Sequence, residues 1–196
     1  MLRGRPFSCE DRRMIDVTGW QWLNEPSSWS AGDALTVRTD PSTDFWRTTH
    51  YGFVRDNGHV LAREVSGDFR LRTRFAGAYT HQYDQAGAMV RIDEENWVKT
   101  GIEYVDGRQN ASVVVTRGLS DWSVTPIEAV DQVSIEIERT GDTVTVRYGV
   151  GDDEPTIMLR LAYYPPAVAT LAGVMCASPD GPGYTVAFDR LELTTG

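Results

Sequence analysis

The sequence predicts an all-β fold, a jelly-roll sandwich of two antiparallel sheets built by a single domain over residues 1–196. Three observations predict it. Apolar and polar residues alternate with period two along most of the chain, turn signals recur at the short intervals typical of sandwiches, and no segment carries a helical pattern over three turns. A short turn near Pro165–Ala169 is the only helical candidate. All-β chains of ~200–250 residues often form one unit, and no linker, repeat or low-complexity tract divides this one.

The elements follow in chain order. In Asp44–Gly52, alternation places Trp46, Thr48 and His50 on one face, with Phe45, Arg47, Thr49 and Tyr51 opposite. Phe69, Leu71, Thr73 and Phe75 alternate with Arg70, Arg72 and Arg74, a half-buried strand with a basic outer face. In the next strand Ala86, Ala88, Val90 and Ile92 share one side, and Gln85, Gly87, Met89 and Arg91 the other. Trp97–Val105 sets Val98, Thr100, Ile102 and Tyr104 against Trp97, Lys99, Gly101 and Glu103. The Asp106-Gly107 turn leads to Asn110–Arg117, which adds Ser112, Val114 and Thr116 to the latter face. Val133–Glu138, Val144–Tyr148, Ile157–Leu161, Leu171–Cys176 and Tyr184–Leu193 complete the pattern, and Pro165-Pro166 stops the third of these.

Composition is that of a globular protein, 41% apolar and 24% charged. The net charge of −9 argues against a nucleic-acid partner, which calls for clustered Lys and Arg. No window approaches a membrane span and no apolar signal core follows Met1, so no membrane partner and a cytoplasmic location are expected. Lys99 is the only lysine among 19 basic residues. Such arginine bias suits a GC-rich, bacterial genome, and a lone lysine inside a strand stands out against it. Cys9 and Cys176 lack metal or redox spacing and read as buried free thiols.

The middle strands depart from plain core patterning. Gln85, Lys99, Glu103 and Ser112 bring amide, ammonium, carboxylate and hydroxyl groups onto one surface, with Trp122 and Trp46 able to flank it and His50 at the rim. Carboxylates and amides hydrogen-bond hydroxyl groups, and indoles pack on the apolar side of a sugar ring. This suits a small polar ligand, carbohydrate above all. The alternative is a solvated face carrying a Lys99–Glu103 or Arg91–Glu103 pair. His59 and His81 fall in expected turns and are given no role.

Whether the chain is an enzyme stays open at this point. A retaining glycosidase needs two carboxylates ~5–5.5 Å apart. Glu103 is the candidate, with Asp84 as a second at the cleft edge, and an ammonium at Lys99 would lower the Glu103 pKa and suit it to act as a base. No metal and no cofactor are expected. His-x-His, His-Glu-x-x-His and cysteine clusters are missing, as are Gly-x-Ser-x-Gly and phosphate-cradling glycine loops, and Asp152-Asp153-Glu154 reads as an acidic turn.

Several blocks carry a resemblance across nearly the whole chain: Trp22-Leu23-Asn24-Glu25-Pro26, Asp44-Phe45-Trp46-Arg47, Tyr83–Arg91, Trp97–Glu103, Val114-Val115-Thr116 with Ser120-Asp121-Trp122-Ser123, and Cys176-Ala177-Ser178-Pro179. Together they resemble the concanavalin A-like domain family of unknown function often labelled "regulation of enolase protein". The resemblance implies a lectin- or glucanase-type jelly roll without an established reaction, so it assigns no catalytic residue; it makes Trp46, Gln85, Lys99, Glu103 and Trp122 ligand candidates. Tyr148–Ile157 departs from the family, whose members tend to have a Ser-x-Asp-Gly turn there. Three functions follow as expectations: a carbohydrate-binding protein, a sugar-active enzyme using Glu103, and a protein-interaction module, with a homodimer allowed.

Overall fold

The computed structural model describes residues 14–196, so Cys9 lies outside the described part. Its strands in chain order are β1 (Gln21–Leu23), β2 (Ser28–Ala31), β3 (Leu35–Arg38), β4 (Phe45–Arg47), β5 (Val54–Asp56), β6 (His59–Val65), β7 (Phe69–Gly77) and β8 (Gln85–Arg91). They continue with β9 (Asn96–Val105), β10 (Arg108–Arg117), β11 (Leu119–Pro126), β12 (Val133–Thr140), β13 (Thr143–Val150), β14 (Ile157–Tyr163), β15 (Thr170–Ala177) and β16 (Thr185–Thr195). Two seven-stranded sheets form, ordered β1-β6-β15-β8-β9-β10-β11 and β14-β13-β12-β7-β16-β3-β2, with β4-β5 as a separate hairpin. The two-sheet sandwich expected from the alternation is therefore the fold observed. Among the described residues there is no helix: Pro165–Ala169 is an open turn, with Ala167 at φ 56°. No helix long and apolar enough to cross a membrane occurs among them either.

The main core lies between the sheets. Ala86, Ala88, Val90, Val98 and Ile102 from the first sheet meet Leu71, Phe75, Ile135, Val146 and Phe188 from the second. For β7, β8, β9, β12 and β13 these are the apolar sides of the alternation. On the outside of the second sheet, the β7–β12 register sets Arg72 opposite Glu136 and Arg70 opposite Glu138. Arg72 Nε donates to Glu136 at 2.6 Å, while Arg74 pairs with Asp189 at 2.8 Å. The basic stripe thus closes on acidic neighbours within its own sheet. Glu154 of the acidic turn likewise pairs with Arg190 at 3.2 Å.

A second core lies on the far side of the first sheet. There Phe45 and Trp46 cover Val60, Met89, Trp97, Val114 and Met175. The β4-β5 hairpin is laid across that face, which explains why β8 is buried along its whole length rather than at alternate residues. The solvated face considered from the sequence is not observed.

Candidate functional site

Register fixes the face under the hairpin. Across β8 and β9, Gln85 stands opposite Glu103, Gly87 opposite Gly101 and Met89 opposite Lys99, and β10 adds Ser112 beside Gly101. A Cβ at Gly101 (φ 155°) would come within 2.0 Å of the Ala86 carbonyl oxygen, so only glycine permits this approach of β9 to β8.

Several polar groups of this face fasten the hairpin. Lys99 Nζ donates to Gln85 Oε1 at 2.6 Å, to the Phe45 carbonyl at 2.8 Å and to Asp44 Oδ1 at 3.2 Å. Three N–H groups meet three acceptors, so the ammonium is satisfied. Gln85 Nε2 donates to Asp44 Oδ1 at 3.3 Å. Arg91 grips Asp56 through two bonds of 2.7 and 2.8 Å. Neither Lys99 nor Arg91 hydrogen-bonds Glu103; their carboxylate partners come from the hairpin, which pattern alone could not place.

One end of the face stays open as a cleft of about 210 Å³, lined by Asp44, Trp46, Tyr51, Phe53, Arg55, Tyr83, Lys99, Glu103, Trp122, Pro179 and Asp180. Of the residues expected from the sequence, Trp46, Lys99, Glu103 and Trp122 line it, and Gln85 lies buried behind the floor. His50 does not line it. Thr48 and His50 both have positive φ (61° and 64°), so the chain leaves the strand after Arg47 and the alternation that put His50 beside Trp46 is lost. The exposed His50 ring instead packs edge-on against Tyr51.

The aromatic wall is mutually braced. Trp46 meets Tyr51 edge-on at 5.5 Å, Tyr51 stacks on Phe53 at 5.7 Å, and Tyr83 meets Trp122 edge-on at 6.2 Å. The hydroxyls of Tyr51 and Tyr83 lie 3.2 Å apart, and with burial this contact pushes the Tyr51 phenol up to about 12.

Glu103 is 6% exposed. Its Oε2 accepts from Ser112 Oγ at 2.7 Å and from Trp122 Nε1 at 2.8 Å, while Oε1 accepts no hydrogen bond from the described residues. Burial holds this carboxyl above the usual carboxylate range, outweighing the Lys99 charge and both hydrogen bonds. Lys99 does lower it, as expected, but desolvation is the larger effect and the Asp44 charge works in the same upward direction, so the net shift is up rather than down.

The second carboxylate of the cleft is Asp44, whose Oδ2 likewise accepts no hydrogen bond from the described residues. Asp84 is not available. It is buried, and it accepts from Thr80 N at 3.0 Å, His81 N at 2.9 Å and Ser178 Oγ at 2.6 Å, which ties down the flanking loops. His59, expected in a turn, begins β6 and is buried, with Nε2 accepting from Asp40 N and Nδ1 donating to the Asn24 carbonyl at 2.7 Å. Sequence reasoning missed Asp44, Tyr51, Phe53, Arg55, Tyr83, Pro179 and Asp180 as lining residues, and had set Tyr51 on the face opposite Trp46; they reach the cleft from loops and a short hairpin whose course periodicity does not encode. Among the described residues no group of three His, Cys, Asp or Glu side chains is placed to hold a metal ion.

The family model described as "Protein of unknown function (DUF1349)" matches residues 22–196. The chain belongs to this family. A curated relative from Saccharomyces cerevisiae, named "Regulation of enolase protein 1", is 41% identical over 186 residues, covering 94% of this chain and 93% of its own. The crystal structure of a functionally unknown protein from Saccharomyces cerevisiae superposes with a TM-score of 0.87 at 35% identity, covering 93% of this chain and 99% of that one. The resemblance drawn from the sequence blocks thus holds for this member of the unknown-function family. A xylan β-1,4-xylosidase from Bacillus halodurans matches with a TM-score of 0.72 at 15% identity over 99% of this chain, which spans 41% of that enzyme. The carbohydrate-binding module CBM66 from Bacillus subtilis matches with a TM-score of 0.58 at 14% identity, covering 90% of this chain and 96% of the module. At such identities the likeness is one of fold. The curated relative is a yeast protein, so it lends nothing to the bacterial source read from arginine usage.

Proposed function

We propose that this protein binds a small polyhydroxylated ligand, of carbohydrate type, in the cleft between the β4-β5 hairpin and β9–β11, and that it does so in the cytoplasm. One observation carries the reading: two carboxylate oxygens, Glu103 Oε1 and Asp44 Oδ2, accept no hydrogen bond from the described residues, in a cleft walled by Trp46, Tyr51, Phe53, Tyr83 and Trp122. Aromatic faces beside open acceptors suit a ring with an apolar face and hydroxyl edges. A volume of about 210 Å³ lies below the ~300–1,000 Å³ of drug-sized sites and favours a ligand of about one sugar unit. The fold shared with a carbohydrate-binding module agrees, although fold does not fix function. Thermal-shift and calorimetric screening of monosaccharides and polyols tests it. We expect saturable stabilisation that Trp122→Ala abolishes; a flat response across neutral, amino and acidic sugars would overturn the reading.

A second reading, a sugar-active enzyme, is favoured by the setting of Glu103. Burial raises its pKa and one of its oxygens is open to the cleft among the described residues, which suits a general acid better than a base. If turnover of any sugar derivative is found, Glu103→Gln should abolish it, and unchanged turnover would exclude the assignment.

A further inference from the structure

The polar groups of the cleft are unbalanced. Lys99 has all three N–H groups bonded, to Gln85, Phe45 and Asp44. The Trp46 indole donates to the Thr49 carbonyl at 3.0 Å and the Trp122 indole to Glu103. The Tyr51 and Tyr83 hydroxyls face each other. Arg55 stands over the Phe53 ring at 5.0 Å and reaches the Pro179 carbonyl at 3.5 Å, which leaves it the one rim cation with N–H groups to spare among the described residues. The acceptors, by contrast, are open: Glu103 Oε1, Asp44 Oδ2 and the exposed carboxylate of Asp180 receive no hydrogen bond from the described residues.

A ligand for such a site must donate. Hydroxyl and ammonium groups do so; carboxylate and phosphate groups accept only, and would face Asp44 and Asp180. The lining carboxylates (Asp44, Glu103, Asp180) outnumber the lining cations (Lys99, Arg55), and Asp44 already neutralises Lys99. Aromatic rings line the same space, and an aromatic-rich lining with excess carboxylates suits a cation. Glu103 is the decisive group, because it is more than nine-tenths buried, lines the cleft and, among the described residues, is anchored through Oε2 alone with Oε1 unpartnered.

We propose that the cleft selects polyols that carry an amine, with amino sugars as the ligand class, and rejects their anionic counterparts. The proposal rests on the small-polyol reading of this cleft and adds its charge selectivity. An ammonium placed at Glu103 Oε1 supplies the counter-charge that this buried carboxyl lacks on its open side.

Isothermal titration calorimetry of the whole chain near neutral pH tests this with matched sets: glucose, glucosamine, N-acetylglucosamine and glucuronate, and the same four in the galactose series. We expect the amine of at least one series to bind about tenfold or more tighter than its neutral parent, a difference of about 1.4 kcal/mol. N-acetylation should remove that advantage, and the uronate should give no heat. In Glu103→Gln, once its melting curve shows that it folds, the ratio of amine to neutral affinity should fall towards one. Tighter binding of a uronate, or neutral sugars binding with no gain for the amine, overturns the selectivity and leaves the small-polyol reading standing. If no sugar of any charge binds, both fall together.

Discussion

Trp122 and Glu103 are joined by a 2.8 Å hydrogen bond from the indole N–H to Oε2, with Ser112 Oγ bonded to both at 3.2 and 2.7 Å. The triangle spans β9, β10 and β11 and sets which carboxyl oxygen faces the cleft. It joins the aromatic wall to the polar floor, so the rotamers of Trp122 and Glu103 are set together.

The first prediction concerns the charge of Glu103. Burial raises its folded-state pKa above the ordinary 4.5, so the folded protein holds this proton to higher pH than the unfolded chain does. Its contribution is fully present below that ordinary value and is lost as pH rises through the folded-state value. Glu103→Gln keeps the shape and an acceptor for Trp122 and Ser112 but cannot ionise. The melting temperature of the wild type should therefore decline more steeply than that of the variant from about pH 5 to pH 8, with the variant the more stable at the upper end. Parallel curves would show that Glu103 carries no such charge cost.

The second prediction tests the β8–β9 approach. At Gly101 a Cβ would meet the Ala86 carbonyl oxygen at 2.0 Å and Gly87 Cα at 2.7 Å, both of them backbone atoms that cannot swing aside. Gly101→Ala should cost about 3 kcal/mol or more, combining overpacking with an unfavourable φ. Gly107 has φ 76° in the β9–β10 turn with nothing within 4 Å, so Gly107→Ala should cost only the backbone strain, about 1 kcal/mol. Urea denaturation of both variants makes the comparison, and equal losses would contradict it.

How much of this was legible in the sequence depends on what holds each residue in place. Val98 and Ile102 against Lys99 and Glu103 follow from the two-residue period, because a sheet enforces it. The Gln85–Glu103 neighbours rest on register, which the short turn between β8 and β9 transmits, whereas Arg70 and Glu138 meet across strands distant in the chain, where only complementary charge hinted at the pairing. Asp44 as the partner of Lys99 was hidden, since 55 residues separate them and β4-β5 belongs to neither large sheet. His50 was misplaced for the opposite reason: Trp46, Thr48 and His50 in alternation looked like strand, and two positive φ angles at Thr48 and His50 ended it.

The third prediction concerns the outer face of the second sheet. Hydrogen bonds from Arg70 and Arg147 hold the Glu138 carboxyl below its ordinary 4.5. A lowered folded-state value contributes stability above the unfolded value, and that contribution is lost as pH falls through the folded one. Acid unfolding of Glu138→Gln should accordingly be shallower than that of the wild type below about pH 4.5. Because Arg70 is half exposed, added salt should narrow the difference between the two curves. A variant as acid-sensitive as the wild type would remove Glu138 from the account.

The last prediction separates the structural duty of Lys99 from any part in binding. Lys99 is 3% exposed and Asp44 8% exposed, so their ion pair is effectively buried. Lys99→Met leaves Asp44 Oδ1, the Phe45 carbonyl and Gln85 Oε1 without their donor, and breaking a buried pair in this way costs about 3–5 kcal/mol. Asp44→Asn keeps the shape of the side chain but removes the counter-charge, which leaves the buried ammonium uncompensated. In the double variant neither stranded charge remains. Its loss should fall short of the sum of the single losses by about 0.5–3 kcal/mol, the usual coupling of residues in direct contact. The hairpin supplies the readout, because Trp46 belongs to β4 and is held at 7% exposure against the first sheet. Its fluorescence should shift to the red in Lys99→Met before the global transition, and in the double variant much less. Strict additivity with unshifted fluorescence would show that the hairpin is held by its apolar contacts alone, and would leave Lys99 free for a ligand.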